Sequence, residues 1–201
     1  MKIRLGLLLV LMVLTVMLPT SLVATSAAPA SDIIDDFEDG NADGWINAVS
    51  GGTATVTVQK GDTPDGSAYC GVVNFSGGAD WQYVLKTDEK FGPAWKANGR
   101  NALRMWVKND PKNPKFERND RFQVQFRETD AGDRWGWQLG DLLNTKEGWQ
   151  QIIVPFSALV AGGSGGNKIF ELEGMTDFRL YGRYLPGPVS VLIDKIELIT
   201  Q

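Results

Sequence analysis

Residues 31–201 repeat one pattern: a short run in which apolar and polar residues alternate, then a cluster of Gly, Pro, Asn or Asp. A period of two marks a strand with one buried face, and the clusters mark turns. The runs are Ile33–Glu38, Thr53–Lys60, Ala68–Phe75, Trp81–Lys86, Ala102–Lys108, Arg121–Glu128, Arg134–Leu139, Gln150–Pro155, Thr176–Tyr181 and Val189–Leu198. Turn chemistry is clearest at Gly61–Gly66, Ser76–Gly78, Asn109–Pro111 and Asp130–Gly132. No stretch keeps a helical period for long. Phe156–Val160 predicts a single helical turn with Ser157 as its cap. The GGSGG stretch, Gly162–Gly166, reads as a surface loop inside one domain, because only about 35 residues follow it.

Many short strands in a chain of this size predict an all-β fold, a two-sheet antiparallel β-sandwich of jelly-roll type. Each sheet buries one face, so alternation divides every strand into core and outer residues. Leu103, Met105 and Val107 point inward, with Arg104, Trp106 and Lys108 outward. Phe122, Val124 and Phe126 point inward, with Gln123, Gln125 and Arg127 outward. Phe178 and Leu180 point inward, with Arg179, Tyr181 and, past the strand, Arg183 outward. These outer rows carry Arg, Gln, Trp and Tyr where a merely solvated face carries Lys, Glu and Thr. Alternation leaves two pairs open: Trp81 with Tyr83 face either way, and Trp135 with Trp137 are either both exposed or both core. Trp45, Trp95 and Trp149, at run ends beside Gly or Pro, are assigned to packing.

The first thirty residues carry a different signal. Lys2 and Arg4 precede an unbroken apolar run, Leu5–Leu18, which Pro19 ends; Ala28-Pro29-Ala30 then offers a small-residue cleavage site. Cleavage after Ala30 avoids leaving Pro29 at the mature N-terminus. The run is short of the ~20 residues a membrane-spanning helix needs. The expected organisation is a signal peptide over 1–30 and a single domain over 31–201, secreted to the extracellular space or the periplasm. Loss of the signal takes two cations and no anion, moving the net charge from −4 to −6. An acidic exported chain argues against nucleic acid, which favours concentrated basic surface. Cys70 is the single cysteine, so no intrachain disulfide forms, and its apolar surroundings make it a core residue. The chain has no histidine, which removes His-based triads, His general bases and His-ligated zinc.

Four stretches, in order, carry a family likeness: DDFEDG at Asp35–Gly40, ALRMWVKND at Ala102–Asp110, EGWQQIIVPFSAL at Glu147–Leu159 and VLIDKIEL at Val191–Leu198. Together they resemble the galactose-binding-like jelly rolls, most closely the family 11 carbohydrate-binding modules of bacterial cellulases. The same elements also resemble the complex I intermediate-associated proteins, so they report fold more securely than ligand. In many such modules a structural calcium ion lies where the first strand meets the last, and the resemblance implies Glu38 and Asp194 as its ligands. Carboxylates and backbone carbonyls are the hard oxygens that calcium takes. Asp36 shares alternation parity with Glu38 and is a third candidate that the resemblance does not fix. The competing reading is a solvated acidic turn, with Asp194 capping a bulge or paired with an Arg.

Sugars present C–H patches and hydroxyls by turns, so a site for them needs flat aromatic faces beside directional polar groups. Arg104, Trp106, Gln123, Gln125, Arg127, Arg179, Tyr181 and Arg183 supply both, and are expected to share one sheet face; Tyr184 extends it, as do Trp135 and Trp137 if that pair is exposed. The expected function is non-catalytic binding of a polysaccharide such as a β-glucan, alone or beside a separately encoded glycoside hydrolase, with no membrane contact after signal cleavage. Two other classes stay open. A small jelly-roll hydrolase or lyase would need paired carboxylates about 5–10 Å apart, and the outer rows carry few acids. An extracellular protein-interaction domain would share the fold.

Overall fold

A computed structural model of the chain describes residues 31–88, 90–128, 132–163 and 166–201. The signal-peptide reading falls on residues outside these. The elements run β1 (Asp32–Asp35), β2 (Trp45–Val49), β3 (Ala54–Lys60), β4 (Tyr69–Phe75), β5 (Trp81–Thr87), α1 (Phe91–Ala97) and β6 (Ala102–Asn109). They continue with β7 (Phe122–Glu128), β8 (Arg134–Gln138), α2 (Gly140–Thr145), β9 (Gln150–Pro155), β10 (Val160–Gly162), β11 (Met175–Arg183) and β12 (Val189–Ile199).

Two antiparallel sheets face each other, so the fold is the β-sandwich that alternation predicts. The first has the order β3-β4-β12-β6-β9, with β1 also paired to β12; the second is β10-β8-β7-β11-β5-β2. The inward rows meet between them: Leu103, Met105, Val107, Phe122, Val124, Phe126, Phe178 and Leu180 are all fully or almost fully buried. Phe126 packs edge-on against Trp95, Phe156 and Phe178, tying the short helix α1 to the core.

Local chemistry explains what periodicity missed. β2 and β10 are edge strands, and β10 has only three residues, too few to show a period. α1 is seven residues long and α2 six, each shorter than the span over which a helical repeat becomes legible. A 3-10 turn does form at Phe156–Ala158, but Pro155 stands at its N-cap position and no side chain caps it, which corrects the Ser157 assignment.

The chain's two ends meet on β12. β4 pairs with Val189–Ile193 and β1 with Ile196–Leu198, so the two strands share one edge of β12 in succession. Between them lies a bulge: Asp194 opposes Trp106 and Glu197 opposes Arg104, three steps on β12 against two on β6. Lys195 absorbs the extra residue with a left-handed φ of 45°. Parity therefore shifts, which is how Val191, Ile193, Ile196 and Leu198 all reach the core.

Candidate functional site

Strands β8, β7, β11 and β5 place their outward residues in ordered rows on the solvent face of the second sheet. Gly136, Gln125, Arg179 and Leu85 face one another across the ladders, and Gln138, Gln123, Tyr181 and Tyr83 form the next row. Over this face lies a groove of about 830 Å³, with Gln123, Gln125, Gly136 and Tyr181 in its lining. Val160 and Gly163 flank one side, and Trp81, Asp120, Arg183 and Tyr184 the far end. Gly136 keeps the groove deep: a Cβ there would come within 3.0 Å of Gln123 Oε1.

The polar groups are ordered by one another. Gln123 Nε2 donates to the Asp120 carbonyl at 2.9 Å, and Gln125 Nε2 donates to Gln123 Oε1 at 3.0 Å. The chain of amides ends at Gln125 Oε1, which is buried and has no partner among the described residues. A second lining residue, Asp120, has the same feature: Arg118 donates to Oδ2 at 2.8 Å, and Oδ1 is buried without a partner. Buried acceptors left open in this way are costly unless something donates to them.

Aromatic rings form a ladder beside the amides. Trp81 stacks on Tyr83 at 5.6 Å between ring centroids, and Tyr83 on Tyr181 at 6.4 Å. Trp81 is 37% exposed. Tyr184 lies between the guanidinium groups of Arg121 and Arg183, at 5.3 and 5.0 Å, and holds a left-handed φ of 47° to reach that place. Burial raises the Tyr181 phenol above its ordinary pKa, and the positive fields of Arg183 and Arg134 oppose the rise.

Of the residues that alternation selected, Gln123, Gln125, Tyr181 and Arg183 meet in this groove. Arg127 shares their face, one row beyond Gln125. Arg179 also shares it but is 3% exposed: it grips Asp177 with two bonds of 2.8 Å and lies 4.6 Å over Tyr83. Arg104 and Trp106 do not join them. β6 pairs with β12 and β9 in the first sheet, so these two residues point to the opposite side of the molecule. Arg104 there binds Glu197 at 2.6 Å. Alternation sorts inside from outside but does not say to which sheet a strand belongs.

The open pairs are resolved by the same geometry. Trp81 and Tyr83 face outward. Trp135 and Trp137 face inward, Trp135 donating to Glu128 at 3.2 Å within the core. Their inward turn puts Arg134, Gly136 and Gln138 into the groove, three lining residues that sequence reasoning passed over, and the half-buried Trp137 also reaches the lining. The glycine between two tryptophans was the available signal. Trp95 packs in the core and the half-buried Trp45 against it, both as assigned, whereas Trp149 lies outside it and donates its indole N–H to the Asp62 carbonyl at 3.0 Å.

The acidic candidates gather around one loop on the first sheet. Glu38 accepts the backbone N–H groups of Ala68 and Tyr69 at 3.1 and 3.2 Å. Asp194 is 0% exposed; it accepts the Ser67 hydroxyl at 3.3 Å and the Lys195 backbone N–H at 2.7 Å. Burial pushes its carboxyl up to about 6. The Lys195 ammonium pairs with Asp65. Asp36 turns to its own backbone, accepting the Glu38 N–H at 3.3 Å. Among the described residues no three acidic, Cys or His side chains come together as a metal cluster. Both carboxylates reach the same Ser67–Tyr69 segment, Glu38 through the two backbone N–H groups and Asp194 through the Ser67 hydroxyl.

No family model matches the sequence, and no curated protein matches it. Solved structures do share its fold. The family 11 carbohydrate-binding module of a Clostridium thermocellum cellulosomal cellulase superposes with a TM-score of 0.62 at 16% identity, covering 87% of this chain and 97% of that one. The Clostridium thermocellum family 11 module in complex with a β-1,3-1,4-mixed-linked tetrasaccharide gives 0.61 at 14% identity, with 86% and 97% covered. A family 30 module from the same organism gives 0.56 at 15% identity, with 79% and 92% covered. The two-sheet antiparallel β-sandwich of this chain is thus a fold that it shares with these carbohydrate-binding modules.

Proposed function

We propose that this protein binds a polysaccharide, without cleaving it, in the groove on the outer face of the second sheet. The observation that carries this reading is the pairing of an amide chain, ending in the open acceptor Gln125 Oε1, with the aromatic ladder Trp81–Tyr83–Tyr181. Sugar hydroxyls donate to such an acceptor, and C–H faces pack on such rings. Support comes from the fold, which is that of modules solved with an oligosaccharide bound. A β-glucan is the first ligand class to test. Export through a signal over residues 1–30, with one domain over 31–201, places the work outside the cytoplasm, extracellular or periplasmic.

In the same reading, calcium held by Glu38 and Asp194 stiffens the seam where β1 and β4 meet on β12. The ion supplies charge compensation for the buried Asp194 carboxylate and takes no part in ligand contact, because the groove lies on the other sheet.

The test is affinity electrophoresis and calorimetry on mixed-linkage glucan, cellulose, xylan, mannan and pectin, with reducing-end release measured in parallel. Binding that Tyr181→Ala weakens, with no release of reducing ends, supports the proposal. Binding to none of the panel overturns it, and release that Asp120→Asn abolishes replaces it with a hydrolase.

A further inference from the structure

One feature of the groove face is not explained by neutral sugar. Arg127 and Arg134 stand directly opposite each other across the β7–β8 ladder, both on the outward side. Like charges in that position repel, and sheets normally avoid them or place a counter-charge alongside. The carboxylates nearest in the fold are already engaged. Asp177, on the other flank of Arg127, gives both oxygens to Arg179. Asp133 gives its oxygens to Lys168, through the backbone N–H at 2.9 Å and the ammonium at 3.1 Å. Glu128 accepts the Trp135 indole and the Glu171 N–H. Arg127 Nε is buried and has no partner among the described residues. Arg134 lines the groove, at the end away from Trp81.

We infer that the Arg127–Arg134 pair is an anion-binding subsite that takes a carboxylate or sulfate carried by the bound glycan. The inference rests on the polysaccharide-binding reading of the groove and narrows it to acidic chains. A planar guanidinium matches a carboxylate or sulfate with two parallel bonds, and a ligand anion placed between two cations removes their repulsion as it binds. The subsite adjoins Gln125 in the same outward row of β7, so one sugar unit reaches the open amide acceptor while its acidic group, or that of its neighbour, reaches the arginines. The far end of the groove lacks this excess: Arg183 there shares the lining with Asp80 and Asp120. The protein's net negative charge makes the attraction short-ranged, so selection acts on contact and not on approach.

The experiment rests on one matched pair of polymers, charged and esterified. De-esterified and fully methyl-esterified polygalacturonate have the same backbone, and mixed-linkage glucan and a sulfated galactan complete the set. Calorimetric affinities are measured for the wild type, Arg134→Gln, Arg127→Gln and Tyr181→Ala. The expected result is tighter binding of the de-esterified polymer than of its methyl ester, by about tenfold or more. That preference should disappear in Arg134→Gln, which should bind the de-esterified polymer and its methyl ester equally. A preference for the sulfated polymer over de-esterified polygalacturonate identifies sulfate as the anion and keeps the subsite. Equal binding of the charged and esterified polymers, or a preference that survives Arg134→Gln, overturns the inference and leaves polysaccharide binding standing. Binding to no polymer removes the underlying reading instead. Without ligand, Arg134→Gln should keep or raise the melting temperature, since it relieves a repulsion. A lowered one assigns the arginines a structural role and also overturns the inference.

Discussion

The ring of Phe37 fills the space where a side chain at Gly71 would stand: a Cβ on Gly71 would lie 2.5 Å from Phe37 Cζ. Phe37 is fully buried and takes a left-handed φ of 59° to get there, with its N–H held at 2.9 Å by Asp35 Oδ1. The pair closes the gap on β12 between β1 and β4. Gly71→Ala is therefore expected to overpack this seam and lower stability by about 1–3 kcal/mol, read from urea or thermal unfolding. Groove affinity, measured below the melting temperature, should be unchanged.

On the groove, Tyr181→Ala should weaken polysaccharide binding at least about tenfold, roughly 1.4 kcal/mol. Gln125→Ala should do the same by removing the open acceptor. Gly136→Val should block the floor and push aside the Gln123 amide that Gln125 donates to, weakening binding in calorimetry. Arg104→Ala and Trp106→Ala lie on the other sheet and should leave the affinity constant in calorimetry as it is.

Calcium should raise the melting temperature at pH 7.5, and chelator should lower it, with little change in affinity for glycan. Asp194→Asn should remove the response. A melting curve indifferent to calcium and chelator would sink the cation reading of Glu38 and Asp194.

With chelator present, two carboxyls give opposite slopes in pH. Asp194 is pushed up to about 6 by burial, so the folded protein takes up a proton that the unfolded chain takes up only near pH ~4. Its contribution to stability is full below that unfolded value and is lost as pH rises through about 6. Asp32 is the reverse: the Arg100 guanidinium, bonded at 2.9 Å, holds its carboxyl below the ordinary value. Its contribution is present above pH ~4 and is lost as pH falls further. From these two groups alone, melting temperature should therefore peak near pH ~4. Asp194→Asn should flatten the fall on the alkaline side, and Asp32→Asn the fall on the acid side.

The sequence by itself determined which residues are inside, because alternation along a strand is a local property with a fixed period. Leu103, Met105, Val107, Phe122, Val124, Phe126, Phe178 and Leu180 are core for that reason, and the two-sheet class follows from their number and spacing. It also brought the acidic opening stretch to the last strand, through the family likeness of DDFEDG and VLIDKIEL. Only the tertiary structure decided which outer rows share a face. Pairing partners are set by contacts between residues far apart in the chain, so nothing local in ALRMWVKND says that β6 belongs with β12 while β7 belongs with β11. That one fact separates Trp106 and Arg104 from Gln123, Gln125 and Tyr181. The cross-strand register did the rest: it set Arg127 against Arg134, Tyr83 against Tyr181, and a glycine where the groove needed room.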